Sequence, residues 1–170
     1  MSCEVCDWID TDKNVVYQDQ DVVVMMHPEP TVEGHVIVVP RQHYTIIEQV
    51  PNEVVEKLFI ISNLISSAVF EMLGAQGTNL LVNNGVSAGQ RMPHFLINVI
   101  PRKQDDNLNY RWVPKKLGQQ EFQDCFVKIK DKCDYIGHEP VKKEPVSLNQ
   151  EKKIDVVEKD YRFKQLERTP

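Results

Sequence analysis

Two cysteines separated by two residues, Cys3-x-x-Cys6, stand near the start of the chain. At that spacing two thiolates can share one zinc ion. The competing chemistry is a redox-active pair, but no βαβ pattern surrounds it to support a thioredoxin-like unit. Much further along, residues 94–100 read HFLINVI. Side chains alternate across an extended segment, so Phe95, Ile97 and Val99 form an apolar core face while His94, Leu96 and Asn98 share the other. This row of a histidine, a leucine and an amide comes shortly after the turn GVSAGQ (85–90). The backbone N–H groups of such a glycine-containing turn can cradle an anion. Metal ligation and anion binding are therefore the chemistries these residues offer.

The elements that must position them follow from periodicity. Residues 14–18 (NVVYQ) and 21–27 (DVVVMMH) read as a hairpin around the polar pair Asp19-Gln20, and 34–40 (GHVIVVP) as a buried strand stopped by proline. Residues 51–73 carry a proline at their start and are followed by Gly74, as a helix requires. Its expected apolar face comprises Val54, Val55, Leu58, Ile61, Leu64, Ile65, Ala68 and Met72. Residues 78–83 form a strand entering the NNGVSAGQ turn, and residues 94–100 are the last strand, ended by Pro101. Short connections and one long helix predict an α+β fold with an antiparallel sheet. Residues 119–135 form a further amphipathic helix with Phe122, Cys125, Phe126, Ile129 and Cys133 along one side, the two cysteines acting as core filler. The expected organisation is a main domain over 1–102, a helical C-terminal extension over 103–138, a flexible Lys/Glu/Pro-rich linker over 139–160, and a terminal segment over 161–170. Tyr161, Phe163 and Leu166 in that last segment suggest docking, a frayed end being the alternative.

Bulk properties set limits. A chain of 170 residues accommodates one domain with a real core. The net charge of −5, from 20 basic and 25 acidic side chains, offers no electrostatic footprint for duplex nucleic acid. The longest apolar stretch is interrupted by Ser62, Asn63, Ser66, Ser67 and Glu71, which excludes a bilayer span. A polar, acidic start (MSCEVCDWID) predicts no secretory signal, and the four cysteines then point to a reducing compartment, the cytoplasm.

Taken together, GHVIVVPRQH (34–43), NNGVSAGQ (83–90) and PHFLINVIPR (93–102) resemble the histidine-triad (HIT) family, nucleotide-binding proteins that hydrolyse or transfer nucleoside phosphates. The match runs from about Cys3 to Arg102; Trp112 with Pro114, and the terminal KQLERTP, resemble extensions of archaeal-type members. The resemblance implies a homodimer joined through the long helix and part of the sheet. It also implies three histidines on the final strand, the middle one attacking the α-phosphate. Here those positions hold His94, Leu96 and Asn98, so this is a degenerate member in which only the first survives. Leucine has no lone pair with which to form a phosphohistidine. Asn98 can hold a hydrogen bond but does not titrate as imidazole does. Loss of a covalent nucleophile typically removes about 10⁴ or more in rate.

Other positions carry over with changes. The acidic residue that would bind the ribose hydroxyls aligns with His27, and the small hydroxyl residue that would touch phosphate aligns with Arg91. The guanidinium of Arg91 suits an anion, the alternative being a solvent-facing side chain. Asn83, Gly89 and Gln90 match the ribose- and phosphate-side loop, and His35 matches a further histidine near the family's active site. Val5, Trp8 and Met25 are candidates for a base pocket or for plain core. The resemblance also completes the cysteine pair with His43 and His94, a Cys2His2 set for zinc. Four protein ligands leave no open position, so that zinc is structural and clamps the N-terminal segment onto the sheet.

Three functions are compatible with these residues. The first is a catalytically inactive HIT protein that binds a nucleotide or a protein partner in the degenerate pocket. The second is an active nucleotide hydrolase or transferase using a displaced histidine, His27 or His35, which must then lie about 3–3.5 Å from phosphorus. The third is a structural interaction protein whose C-terminal tail binds a partner. His138 lies beside the linker as a surface residue.

Overall fold

The computed structural model describes residues 3–133 and Ile136. The expected linker and docking segment, with Tyr161, Phe163, Leu166 and His138, lie outside the described residues. The chain divides into two compact units, Met1–Arg111 and Trp112–Pro170.

The first unit is built on strands β1 (Val15–Gln18), β2 (Val22–Met26), β3 (Val36–Pro40), β4 (Gly77–Leu81) and β5 (Ile97–Arg102). They form one antiparallel sheet in the order β1-β2-β3-β5-β4. The long helix α2 (Asn52–Leu73) covers one face. Against it pack Val22, Val24, Val36, Val38, Phe95, Ile97 and Val99. A short helix α1 (Glu4–Asp10) belongs to the opposite face, where Val5 and Ile9 cluster with Val23, Met25, Ile37 and Val39. Both faces of β2 and β3 are thus covered, which is why these strands are continuous runs of branched and apolar residues rather than alternating ones. Asp19 fastens the β1–β2 turn by accepting from the N–H groups of Asp21 and Val22 at 2.8 and 2.9 Å. Lys57 of α2 pairs with Asp19 and Asp21 at 3.1 and 2.8 Å, tying that turn to the helix.

The α+β layer, the long helix and the C-terminal helix agree with the sequence reading, with four differences. First, α1 was not anticipated; seven residues are too few for a periodic pattern, although Val5 and Ile9 stand at the i, i+4 spacing of a buried stripe. Second, the last strand begins at Ile97 rather than His94 and runs through Pro101. Residues 94–96 lie outside the ladder, His94 in a bend, with Phe95 N–H donating to the Tyr44 carbonyl at 2.6 Å. Pro101 pairs only with Thr78 of β4, beyond the last β3 pair Val36–Val99, so its missing N–H disturbs no central ladder. Third, Leu64, Ala68 and Met72 are exposed. One stripe suffices to cover the sheet, and it is filled by Leu58, Ile61 and Val69 with Ser62, whose hydroxyl donates to the Leu58 carbonyl at 2.7 Å. Fourth, in the second unit α3 (Gln119–Lys132) buries no residue. Cys125 is exposed and Cys133 half-buried, so neither is core filler. Among the described residues of this unit no second layer covers the apolar side of α3.

Gly34 precedes β3 with φ +80°, and a Cβ there would collide with Leu73 at the end of α2. Gly74 closes α2 in the left-handed conformation, φ 60°. These two glycines let the entry to β3 and the exit of α2 meet closely above Pro101.

Candidate functional site

Cys3 is the N-cap of α1 and Cys6 lies in its first turn, so both thiols point from one side of the helix. His94 reaches them from the segment before β5, and His43 from the loop after β3. Ligand atoms of all four lie within 4.8 Å of one another. His94 Nδ1 is 3.6 Å from both Cys3 Sγ and Cys6 Sγ, and His43 Nδ1 is 3.4 Å from Cys6 Sγ. A tetrahedral ion with zinc-like bond lengths sets sulfur–nitrogen edges of about 3.6 Å. The donor types and these three separations therefore fit a tetrahedral metal ion.

His94 is fully buried and its Nε2–H donates to the Pro40 carbonyl at 3.0 Å. That bond fixes the tautomer and leaves the Nδ1 lone pair facing the sulfurs, the usual support for a metal-bound histidine. Burial and the adjacent Cys3 thiol push the Cys6 thiol up to about 11. Two neighbouring thiols resist ionising together, and a divalent cation between them removes that penalty.

On the same sheet face lies a cleft of about 80 Å³ lined by His27, Asn83, Gly89, Gln90, Arg91, Met92, Leu96 and Asn98. It adjoins an outer cleft of about 280 Å³ lined by Glu4, Trp8, His27, Pro28, Glu29, Arg91 and Met92. His27, Arg91 and Met92 belong to both. Trp8 thus stands on a cleft wall, whereas Val5 and Met25 are fully buried core.

The loop that closes the inner cleft is braced from within. Gln90 Oε1 accepts from Gly85 N–H at 2.7 Å, while its Nε2 donates to the carbonyls of Thr45 and Met92 at 2.7 and 2.9 Å. Both of its N–H donors and its oxygen are engaged within the protein, so it shapes the loop. Asn83 Nδ2 donates to the Gly89 carbonyl at 3.3 Å. Gly89 takes φ 84° as the loop turns toward Arg91, which is exposed.

Behind the cleft runs a hydrogen-bonded chain in which every partner is defined. His35 is buried and its Nδ1 accepts from Thr31 N–H at 3.2 Å. Its Nε2–H donates to Asn98 Oδ1 at 3.0 Å, and Asn98 Nδ2 donates to the Leu81 carbonyl at 3.1 Å. His27 stacks on His35 with ring centroids 4.6 Å apart and 14° between planes. Its own Nδ1 accepts from Glu29 N–H at 3.0 Å. Burial holds both imidazoles below their ordinary value. Of the six expected ligand-binding residues, the cleft walls collect His27, Asn83, Gly89, Gln90 and Arg91, and His35 sits behind His27. The bracing by Thr45 and the tautomer lock by Pro40 were missed, because both act through backbone carbonyls that carry no sequence signal.

The His35–Asn98 pair has a measurable consequence. An imidazole with a depressed folded value binds fewer protons than the unfolded chain between that value and about 6.5. Its contribution to stability is complete above that range and is lost as pH falls through it. Urea denaturation should therefore give a lower unfolding free energy at pH 5.5 than at pH 7.5, a difference that shrinks in His35→Gln. At pH 7.5, Asn98→Ala strands the buried Nε2–H of His35 and should cost about 1–3 kcal/mol. A neutral effect would show that the bond does not stabilise the fold.

Comparison with known proteins agrees with this arrangement. The HIT domain family model matches residues 10–105. An adenylylsulfatase of Arabidopsis thaliana is 36% identical over 102 residues, 60% of this chain and 50% of that protein. An uncharacterized HIT-like protein of Saccharolobus solfataricus is 34% identical over 109 residues, 64% of this chain and 78% of its own. Thus the chain matches only half the length of the Arabidopsis relative. Among solved structures, a Zn-bound histidine triad family protein from Mycobacterium smegmatis superposes with a TM-score of 0.60 at 26% identity, covering 78% of this chain and 98% of that one. With a family match over most of its first unit, and with the sheet, loop and final strand that carry the motif in place, this chain belongs to the HIT domain family.

Proposed function

We propose that this protein binds a nucleotide in the HIT cleft without turning it over, and that zinc at Cys3, Cys6, His43 and His94 is structural. The observation that carries the reading is Leu96 on the cleft wall, at the position where the family resemblance requires the nucleophile. Neither nearby imidazole replaces it. Both nitrogens of His35 are engaged, by Thr31 and Asn98. The Nδ1 lone pair of His27 is used by Glu29, which leaves Nε2 protonated and without a lone pair for attack. Relatives with nucleotide-cleaving names support the ligand class: the Arabidopsis adenylylsulfatase, and a bis(5'-adenosyl)-triphosphatase of Dictyostelium discoideum that is 26% identical over 99 residues.

Binding can proceed without chemistry. The outer cleft presents Trp8, Pro28 and Met92 to an aromatic base, and the inner cleft, walled by Asn83, Gly89, Gln90 and Arg91, would take the 5'-phosphate. The N–H groups of Gly85, Ala88, Gly89 and Gln90 are bonded within the loop, so side chains rather than that backbone would hold the anion. The working form is a homodimer. Phe59, Ile60, Leu64, Phe70 and Met72 are exposed on α2, with Leu80 on β4, and a second copy would cover such an apolar surface. The C-terminal segment is a docking arm for a protein partner. The proposed setting is the reducing cytoplasm, which the four free cysteines support; among the described residues no helix is long and apolar enough to cross a membrane.

Metal content, ligand binding and turnover test this reading. Protein purified without a metal-binding tag should carry one zinc per chain, and Cys3→Ser with Cys6→Ser should remove it and lower the thermal midpoint. Zinc retained by the double variant would contradict the assignment. Calorimetry should detect AMP binding, while AMP–amide and dinucleotide substrates should turn over about 10⁴-fold more slowly than in a relative with a histidine nucleophile. Turnover at that relative's rate would sink the inactive reading.

A further inference from the structure

The junction of the two clefts has a chemistry that a plain ribose does not need. His27 and Arg91 line both clefts, and Arg91 is the one cationic side chain among the lining residues. It has no ion-pair partner among the described residues. The carboxylates of the lining, Glu4 and Glu29, belong to the outer cleft alone. An unpaired guanidinium beside an imidazole N–H is a donor set for an anion, since guanidinium offers two parallel donors to one phosphate.

The imidazole is held for donation. Glu29 N–H occupies its Nδ1, so the proton resides on Nε2. Stacking on His35 sets the ring plane, and His35 is itself fixed between Thr31 and Asn98. Asn98 therefore positions His27 through His35, a role unrelated to attack on phosphorus.

We propose that His27 and Arg91 make this a pocket for a nucleotide phosphorylated on its ribose, a nucleoside 2',5'- or 3',5'-bisphosphate. The inference rests on the nucleotide-binding reading. With the base against Trp8 in the outer cleft and the 5'-phosphate in the inner one, the part of the ligand at the junction is the ribose. An acidic residue at position 27 would accept hydrogen bonds from two ribose hydroxyls and repel a phosphate there. Histidine with arginine reverses that preference, attracting the phosphate and offering no acceptor to the diol.

The test is calorimetry on the zinc-containing full chain with adenosine 3',5'-bisphosphate, adenosine 2',5'-bisphosphate, AMP and adenosine. At least one bisphosphate should bind about 10-fold or more tightly than AMP, the increment of one charge-assisted pair. The double variant H27D/R91S should lose that preference while keeping its zinc. The single variant Arg91→Gln, on an exposed side chain, serves if the double variant does not fold, and should weaken bisphosphate more than AMP. Equal affinity of AMP and both bisphosphates for the wild-type chain overturns the inference and leaves nucleotide binding standing. Failure of all four ligands to bind overturns both.

Discussion

The alternation of side chains along residues 94–99 is the constraint on which the remaining structure depends. Because successive residues face opposite sides, Phe95, Ile97 and Val99 are committed to the core beneath α2. His94, Leu96 and Asn98 are thereby displayed in a row on the other face. Each has a different neighbour: the two thiols, the inner cleft, and the buried imidazole of His35. A slip of one residue would bury His94 and Asn98 among valines and scatter the whole site, so the packing of α2 fixes the chemistry of the opposite face.

The polar groups on that face are satisfied rather than poised. Each of the three well-placed imidazoles has one nitrogen pinned by a backbone group: His94 by Pro40, His35 by Thr31 and His27 by Glu29. Pinning dictates the tautomer, and the tautomer dictates the role. His94 turns a lone pair to the metal site. His35 donates to Asn98. His27 is left with a donor facing the cleft. Neither His27 nor His35 keeps a free lone pair toward the cleft, and Leu96 lines it at the position where the family resemblance places the nucleophile.

Much of this was legible in the residues. Period-two alternation separated the faces of the last strand correctly even though residues 94–96 are not paired in the ladder. The Cys-x-x-Cys spacing flagged two candidate metal ligands, and the resemblance supplied His43 and His94, which the fold brings together with them across almost the whole first unit. The departures at His27 and Arg91 were also visible, and both side chains reach the same junction. What could not be read was carried by backbone groups or by surface shape. The short helix α1 has too few turns for periodicity to register. The exposed stripe of α2 looks apolar in sequence just as its buried stripe does, so Leu64 and Met72 were assigned inward although they face out. The apolar side of α3 invites the same error at Cys125.

The central claim concerns lone pairs on one sheet face, and its most direct test is the mass of the intact protein. After incubation with AMP-amide or a diadenosine polyphosphate and rapid quenching at alkaline pH, which preserves phosphoramidate bonds, the wild-type chain should retain its unmodified mass. The same chain with Leu96→His should be examined beside it as a control for detection. An adenylyl adduct on a histidine of the wild-type protein would contradict the account, because it would reveal a nucleophile that the hydrogen bonds described here leave no room for.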